Sequence, residues 1–352
     1  MENKLNFDFK TNQLIIKKIA FIDSFKGKWK GLEVAESIYL KELKQIATIE
    51  SIGSSTRIEG STLTNEEVKK LLQSVKISSL KSRDEQEVFG YYEVLNLIVE
   101  EFEQIILQEN EVHYLHKLLL KTSTKDDRHR GSYKMLSNKV VAKSPQGSER
   151  VIFETTSPFL VKEEMKNLFE WTNSNFEKNE LHPLIVIAIF VYEFLSIHPY
   201  QDGNGRLSRL LTTLLLLKNK YDFMHYASME IEIEKRKKEY YQALISGQKN
   251  RNTDKEIVNE WLIFFLDTLE KTIQVLEYRF EQIKDKTTYL NERQKKLFKF
   301  IEENEPVKIQ DIAIALAEYT IYVLRKDIGH LQKEGLIKKI GKSRATIYVL
   351  ND

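Results

Sequence analysis

The chain has 352 residues, a formal net charge of +2, 41% hydrophobic residues and no cysteine. That length predicts about two domains, with enough apolar residue for real cores. The near balance of charge points to no particular partner, and the lack of cysteine excludes disulfides, cysteine metal ligands and a cysteine nucleophile.

Residues 1–40 mix polar and apolar positions without a clear period, and the polar stretch from Met1 to Lys10 does not read as a signal peptide. Helical spacing of Leu, Ile, Glu and Lys dominates from there on. One helix is predicted from about Leu40 to Ile58. Thr64-Asn65-Glu66-Glu67 reads as a capping box that opens a helix to about Val75. Further helices are predicted at 84–108 and 111–122. Lys139 to Lys143 and Arg150 to Phe153 are strand-like, with Ser144-Pro145-Gln146-Gly147 as the turn between them. Helices resume at 158–176, 183–197, 206–218 and 233–247, then from about Lys255 to Lys284.

The longest apolar run, Leu184 to Ile197, is too short to span a bilayer and contains Glu193. No membrane association is expected, and the chain reads as soluble and cytoplasmic. The charged stretch from Gln282 to Arg293 marks a boundary. Beyond it come a helix to Glu303, a short one at Ile309 to Leu316 and a third at Thr320 to Lys333. Two strands, Gly335 to Ile340 and Ala345 to Leu350, flank Gly341-Lys342-Ser343-Arg344. Three helices followed by a hairpin resemble a winged helix. Its third helix would be the recognition helix, with Lys342 and Arg344 on the wing, and the partner would be DNA or protein.

The densest chemistry lies between two apolar helices, at His198-Pro199-Tyr200-Gln201-Asp202-Gly203-Asn204-Gly205-Arg206-Leu207-Ser208-Arg209. The predicted downstream helix begins near Arg206, with the glycines leading into it. A glycine loop feeding a helix N-terminus makes an anion site, because free backbone N–H groups and the helix dipole both favour negative charge. Arg206 and Arg209 fall on one face of the first turn, and arginine binds phosphate oxygens through a planar fork. An oxygen ligand such as Asp202 suits Mg²⁺, which normally accompanies substrate phosphates. The residues therefore read as a triphosphate site with a histidine beside it. The dinucleotide fingerprint and the P-loop do not fit, since the third glycine and a Gly-Lys-Ser/Thr ending are missing. The plain alternative is a polar interhelical turn.

This segment resembles the signature of the Fic family, His-x-Phe-x-(Asp/Glu)-Gly-Asn-Gly-Arg-x-x-Arg, with Tyr200 in place of Phe. Members are mostly AMP-transferases that move AMP from ATP to a hydroxyl side chain of a protein. The resemblance implies His198 as general base and Asp202 as the Mg²⁺ ligand. Asn204 with the N–H groups of Gly203 and Gly205 would hold the α-phosphate, and Arg206 and Arg209 the β- and γ-phosphates. Gly203 and Gly205 argue against the Doc-like kinases of the family, which carry alanine and lysine there. The hairpin at about 137–154 falls where the family has a flap that clamps the target protein by main-chain pairing; a plain surface hairpin is the alternative.

Ser55-Thr56-Arg57-Ile58-Glu59-Gly60 resembles the family's inhibitory-helix motif, upstream of the catalytic one as in class II members. There the glutamate, here Glu59, pairs with the second motif arginine, here Arg209, and denies the γ-phosphate its anchor. In some relatives this glutamate also serves in removing AMP. Read alone, Ser55 to Gly60 is an ordinary helix end capped by Gly60. Tyr240 and Tyr241 sit where the family often has a tyrosine pair near the adenosine, though an aromatic pair on a helix also suits a core. Gln248 and Val191 depart from the family's usual Asn and His.

The expected architecture is mainly α. An N-terminal helical region over 1–110 includes the inhibitory helix at about 40–60. A Fic-type core with its hairpin flap spans 111–285, and a winged helix 286–352. The expected function is an autoinhibited AMP-transferase using ATP and Mg²⁺ on a target protein or itself, with a homodimer left open. Two other readings stand beside it: a winged-helix regulator whose nucleotide site is only a sensor, and an enzyme using UTP or CDP-choline.

Overall fold

From Val186 to Ile197 every residue is buried. A helix that is apolar on nearly every side has to be surrounded by protein, and the helices just before and just after it in the chain pack along it. The computed structural model describes residues 2–35, 40–74, 80, 82–123, 126, 128–143, 149–288, 290–341 and 345–351. In chain order the elements are α1 (Phe9–Ala35), α2 (Leu40–Ile58), α3 (Asn65–Ser74), α4 (Arg83–Glu101), α5 (Glu109–Leu119), β1 (Lys139–Lys143), β2 (Glu149–Glu154), α6 (Pro158–Lys178), α7 (Pro183–Ile197) and α8 (Asn204–Lys218). They continue with α9 (Met229–Lys235), α10 (Lys237–Gln248), α11 (Asn259–Thr288), α12 (Glu292–Asn304), α13 (Ile309–Ala315), α14 (Ile321–Lys333), β3 (Ile337–Ile340) and β4 (Ile347–Leu350).

The chain is mainly helical, as the spacing of its Leu, Ile, Glu and Lys residues predicts. The chain divides into two compact units, Met1–Glu277 and Tyr278–Asp352, and the division falls within the residue range of α11. The regions read separately as 1–110 and 111–285 share the first unit as far as residue 277. In that unit α6 and α8 pack along α7, and α2 packs on α4 and α9. β1 and β2 pair antiparallel, with Lys139 opposite Glu154 and an irregularity between Val140 and Val141. The predicted turn at 144–147 lies outside the described residues. In the second unit Leu297, Ile301, Ile312, Leu324, Ile328 and Tyr348 share one core. There α12 to α14 are followed by the antiparallel pair β3–β4. Lys342 and Arg344 lie outside the described residues.

Local signals explain most of the boundaries. The capping box at Thr64 forms: the Thr64 N–H donates to Glu67 at 2.8 Å and the Glu67 N–H donates to Thr64 Oγ1 at 3.3 Å. A second box, Ser82 with Glu85, opens α4. Pro158 and Pro183 stand at the first turns of α6 and α7, where their missing N–H is harmless.

Two expected helices differ in the structure, and the stretch left open at the N-terminal end is helical. Residues 1–40 contain a long helix, α1, whose buried Ile15, Ile22, Phe25 and Trp29 lie 7, 3 and 4 residues apart; the apolar Ile16, Ile19 and Phe21 and the polar residues between them hid that period. The helix expected over 84–108 ends at Glu101, where the N–H groups of Gln104 and Ile105 turn back onto the Glu101 carbonyl. The buried Ile105 and Leu107 keep the apolar spacing going beyond the helix. The helix expected over 233–247 is two helices, because Ser228 caps α9 and the backbone breaks at Arg236 (φ −116°, ψ 32°).

Aromatic contacts dock α1: Phe25 lies edge-on to Phe223 at 5.2 Å and Trp29 packs on Tyr226 at 5.5 Å. Trp29→Ala is expected to lower the unfolding free energy by about 3–5 kcal/mol, measured by denaturant titration of the intact chain.

Candidate functional site

The polar segment between α7 and α8 is held by its own residues. Asn204, 1% exposed, accepts a hydrogen bond from the Tyr200 N–H at 2.8 Å and donates to the Tyr200 carbonyl at 2.7 Å. Its side chain thus closes the loop in the manner of a strand partner. The Tyr200 ring stacks on His116 at 3.7 Å, and its hydroxyl meets His113 Nδ1 at 2.9 Å. His116 Nδ1 accepts from the Gly131 N–H at 2.8 Å, so Nε2 carries the proton and donates to the Asp202 carbonyl at 3.0 Å. Burial pushes the His116 pKa down to about 4, which keeps it in this neutral form. His113 and His116 are supports of the loop that motif reading did not find, because they lie some 80–90 residues upstream.

His198 ends α7 in the left-handed region (φ 52°, ψ 61°). That conformation costs an L residue roughly 1–2 kcal/mol, and here it turns the chain out of a buried helix. The imidazole Nδ1 faces the Leu195 carbonyl at 3.3 Å. An Nδ1–H donated there leaves Nε2 as the basic nitrogen. Burial, with the Lys134 ammonium acting in the same sense, pushes the pKa down to about 4; Glu59 and Asp202 oppose the shift. The ring is therefore a neutral acceptor at neutral pH.

The helix after the loop starts at Asn204, two residues before the position expected. Gly203 is its N-cap at φ 79°, a conformation glycine adopts without penalty. The unpaired first-turn N–H groups of a helix belong here to Asn204, Gly205 and Arg206. Arg206 is 2% exposed and reaches Asp202 Oδ1 at 3.1 Å and Glu87 Oε2 at 3.4 Å. Its Nε is buried with no hydrogen-bond partner among the described residues. Such an orphaned donor is costly unless a ligand completes it.

Arg209, also buried, donates from Nε to Ser55 Oγ at 2.7 Å and from one terminal nitrogen to the Ser55 carbonyl at 3.0 Å and Glu59 Oε1 at 2.8 Å. Gly60 (φ 110°) closes α2: its N–H bonds to the Arg57 carbonyl and that of Ser61 to Thr56, the Schellman pattern. Both readings of Ser55 to Gly60 are thus present at once, a capped helix end and a carboxylate on Arg209. Withdrawal from water would raise the Glu59 pKa, but the charge and hydrogen bond of Arg209, with Arg206 and His198, hold it below the usual carboxylate range. A methyl group placed on Gly205 would lie 2.2 Å from Glu59 Oε1. The carboxylate therefore lies over the first turn of α8, where the helix terminus attracts an anion.

Asp202 Oδ1 accepts from the Gly203 N–H at 2.6 Å. Among the described residues no cluster of three or more His, Asp or Glu side chains is arranged to hold a metal ion. A single carboxylate beside an anion site fits a cation that arrives with phosphate oxygens and water, and does not fit a protein-enclosed one. Tyr240 is buried and packed edge-on to Trp261 at 5.7 Å and to Tyr241 at 5.1 Å; Tyr241 is half-buried, and Tyr240 lines a pocket together with Arg209. Gln248 is turned inward and donates to Ser196 Oγ at 3.0 Å.

Residues 106–216 match the profile of the Fic/DOC family. The chain is 25% identical over 265 residues to the protein adenylyltransferase Fic of Drosophila willistoni, covering 74% of this chain and 47% of that protein. It is 26% identical over 242 residues to the protein of the same name from Drosophila grimshawi, covering 67% and 44%. The chain thus spans about half the length of the curated relatives it matches. Its fold is similar to that of a Fic family protein from Desulfovibrio desulfuricans (TM-score 0.64, 23% identity, 96% of this chain and 95% of that one). It is also similar to a Fic domain containing signaling protein from Bacteroides thetaiotaomicron (TM-score 0.59, 23% identity, 75% and 96%).

His198 is expected to stay neutral as the pH falls from 8 to 5.5, since its pKa lies near 4; an ordinary histidine would charge over that range. The Cε1–H shift of His198, assigned by comparison with His198→Ala, checks this by NMR titration.

Proposed function

Because the chain carries a Fic/DOC family domain, we propose that it is a protein adenylyltransferase held in check by its own Glu59. The carrying observation is a neutral imidazole acceptor on one side of a short loop and an arginine-lined helix N-terminus on the other. The proposed reaction moves AMP from ATP to a hydroxyl of a target protein or of this chain. The hydroxyl oxygen bonds to the α-phosphorus as the bond from that phosphorus to the β-phosphate oxygen breaks. The hydroxyl proton passes to His198 Nε2, and pyrophosphate leaves. Transfers of this kind depend chiefly on positioning and on charge stabilisation. The N–H groups of Gly205 and Arg206 suit the phosphates, and the unpartnered Nε of Arg206 supports a role for that residue in binding them. Asp202 would hold a Mg²⁺ that arrives with the nucleotide and neutralises phosphate charge. Asn204 acts here through the loop it closes.

Arg209 is bonded to Ser55 and Glu59, and the Glu59 carboxylate lies over Gly205 at the start of α8, where phosphates held by that helix terminus would have to compete with it. Both facts support inhibition by competition for one arginine and one helix terminus. The paired strands before α6 support docking of a target peptide on a strand edge. We also propose that the second unit, with its three helices and hairpin, is a winged helix. The alternative of a nucleotide-sensing regulator would use the phosphate-binding groups and need no base, so the basic Nε2 of His198 favours transfer.

Glu59→Gly is expected to raise self-labelling from labelled ATP about ten- to a hundredfold, the equivalent of one charge-assisted bond of about 1.5–3 kcal/mol. Adding His198→Ala should silence it. Unchanged labelling in Glu59→Gly, with the unaltered chain already active, would remove Glu59 from regulation.

A further inference from the structure

The strand pair β1–β2 joins the rest of the unit through two connections, one at Asn138 and one at Thr155. Both are gripped by the same side chain. The ammonium of Lys134 donates to Asn138 Oδ1 at 2.9 Å, to Thr155 Oγ1 at 2.7 Å and to the Ile197 carbonyl at 3.1 Å. Ile197 is the last residue of α7, directly before His198. The Lys134 backbone N–H donates to the Pro199 carbonyl at 2.8 Å. One residue therefore holds the chain on both sides of His198 and both feet of the hairpin.

The feet are also tied to each other and to the loop. The Thr155 hydroxyl lies 2.6 Å from Asn138 Oδ1, and Asn138 Nδ2 donates to the Tyr200 carbonyl at 2.9 Å. Lys134 is 2% exposed. An ammonium has three donors, and here each finds an uncharged acceptor. Burying a cation without a bonded carboxylate is costly, and burial pushes the Lys134 pKa down to about 8, with Glu164 opposing and Arg251 adding to the shift. An apolar side chain of similar length would fill the space without that cost, but would hold none of the three attachments.

We propose that Lys134 is a positioning residue for the transfer reaction, fixing the strand pair and the His198 imidazole in one register. The proposal rests on the transfer reading above. A general base works only within hydrogen-bond reach of its proton, about 2.6–3.2 Å. A peptide docked on a strand edge is placed by that edge. The edge and the base therefore need a common anchor, and a loss of about 1 Å in placement can cost roughly a hundredfold in rate. Charges facing His198 come from Lys134, Glu59 and Asp202, so removing the ammonium leaves a second mark: the imidazole becomes easier to protonate.

The test uses the full chain carrying Glu59→Gly, with Lys134→Met and Thr155→Val added in turn. Four quantities are read: self-labelling from labelled ATP, affinity for ATP, amide hydrogen exchange of β1 and β2, and the His198 imidazole titration. Lys134→Met is expected to slow labelling about ten- to a hundredfold, leave ATP affinity within about twofold, quicken exchange in both strands and raise the imidazole midpoint. Thr155→Val, which keeps the ammonium, is expected to quicken strand exchange and leave the midpoint in place. Unaltered strand exchange in Thr155→Val and in folded Lys134→Met would overturn the proposal. A loss of labelling that only parallels global unfolding, with Thr155→Val unaltered, would also overturn it. If Glu59→Gly alone gives no labelling, the transfer reading fails; the exchange and imidazole measurements still decide whether Lys134 is the anchor.

Discussion

Everything at the site depends on the amide of Asn204 folding back onto the backbone of Tyr200. A loop between two buried helices has polar main-chain groups that water cannot reach, and unpaired groups of that kind are costly. Asn204 satisfies both the N–H and the carbonyl of Tyr200. Because the loop is closed this tightly, the end of α7 and the start of α8 have a fixed separation. His198 and the arginines are set by the backbone at the two ends of that loop, and neither depends on a mobile surface segment.

A cluster of cations around an open helix terminus is unstable unless something negative sits among them. Arg206 has Asp202 and Glu87; Arg209 has Glu59. These carboxylates let the arginines stay buried in the absence of any phosphate. The proposed inhibition and the stability of the resting fold are therefore two aspects of one charge balance. Removing Glu59 frees an anion site and at the same time takes from Arg209 the carboxylate it is bonded to, leaving it the neutral acceptors of Ser55.

How much of this was legible in the sequence follows the range of the interactions. The polar loop, its flanking helices and the order of elements after residue 290 rest on local patterns, and they were readable in advance. Glu59 facing Arg209 was reachable only through family resemblance, because the two lie 150 residues apart and nothing local in Ser55 to Gly60 distinguishes it from a plain capped end. The histidine support under Tyr200 and the grip of Lys134 were not foreseen. Each joins segments distant in sequence through a single side chain, and a lone lysine or histidine carries no periodic signal. The helix α1 was missed for a different reason: its buried positions keep a helical period, but the residues between them blur it.

The end of α2 is fastened from several directions. Arg57 forks onto Glu234 at 2.7 and 2.9 Å and donates to the Leu63 carbonyl and to Asn65, while Lys237 caps the Ile58 carbonyl at 2.5 Å. The backbone on the N-terminal side of Glu59 is thus pinned to α9 and α10, and Gly60 locks the other side. Release of the carboxylate from Arg209 need involve no departure of the helix. A turn about the side-chain bonds of Glu59 would then suffice once its bond to Arg209 breaks, and rotamer changes of exposed side chains take picoseconds to nanoseconds. On the proposed reading the brake is a fast swing arm on a rigid mount. Nucleotide would meet it as an equilibrium competitor at every encounter, with no slow opening step before binding.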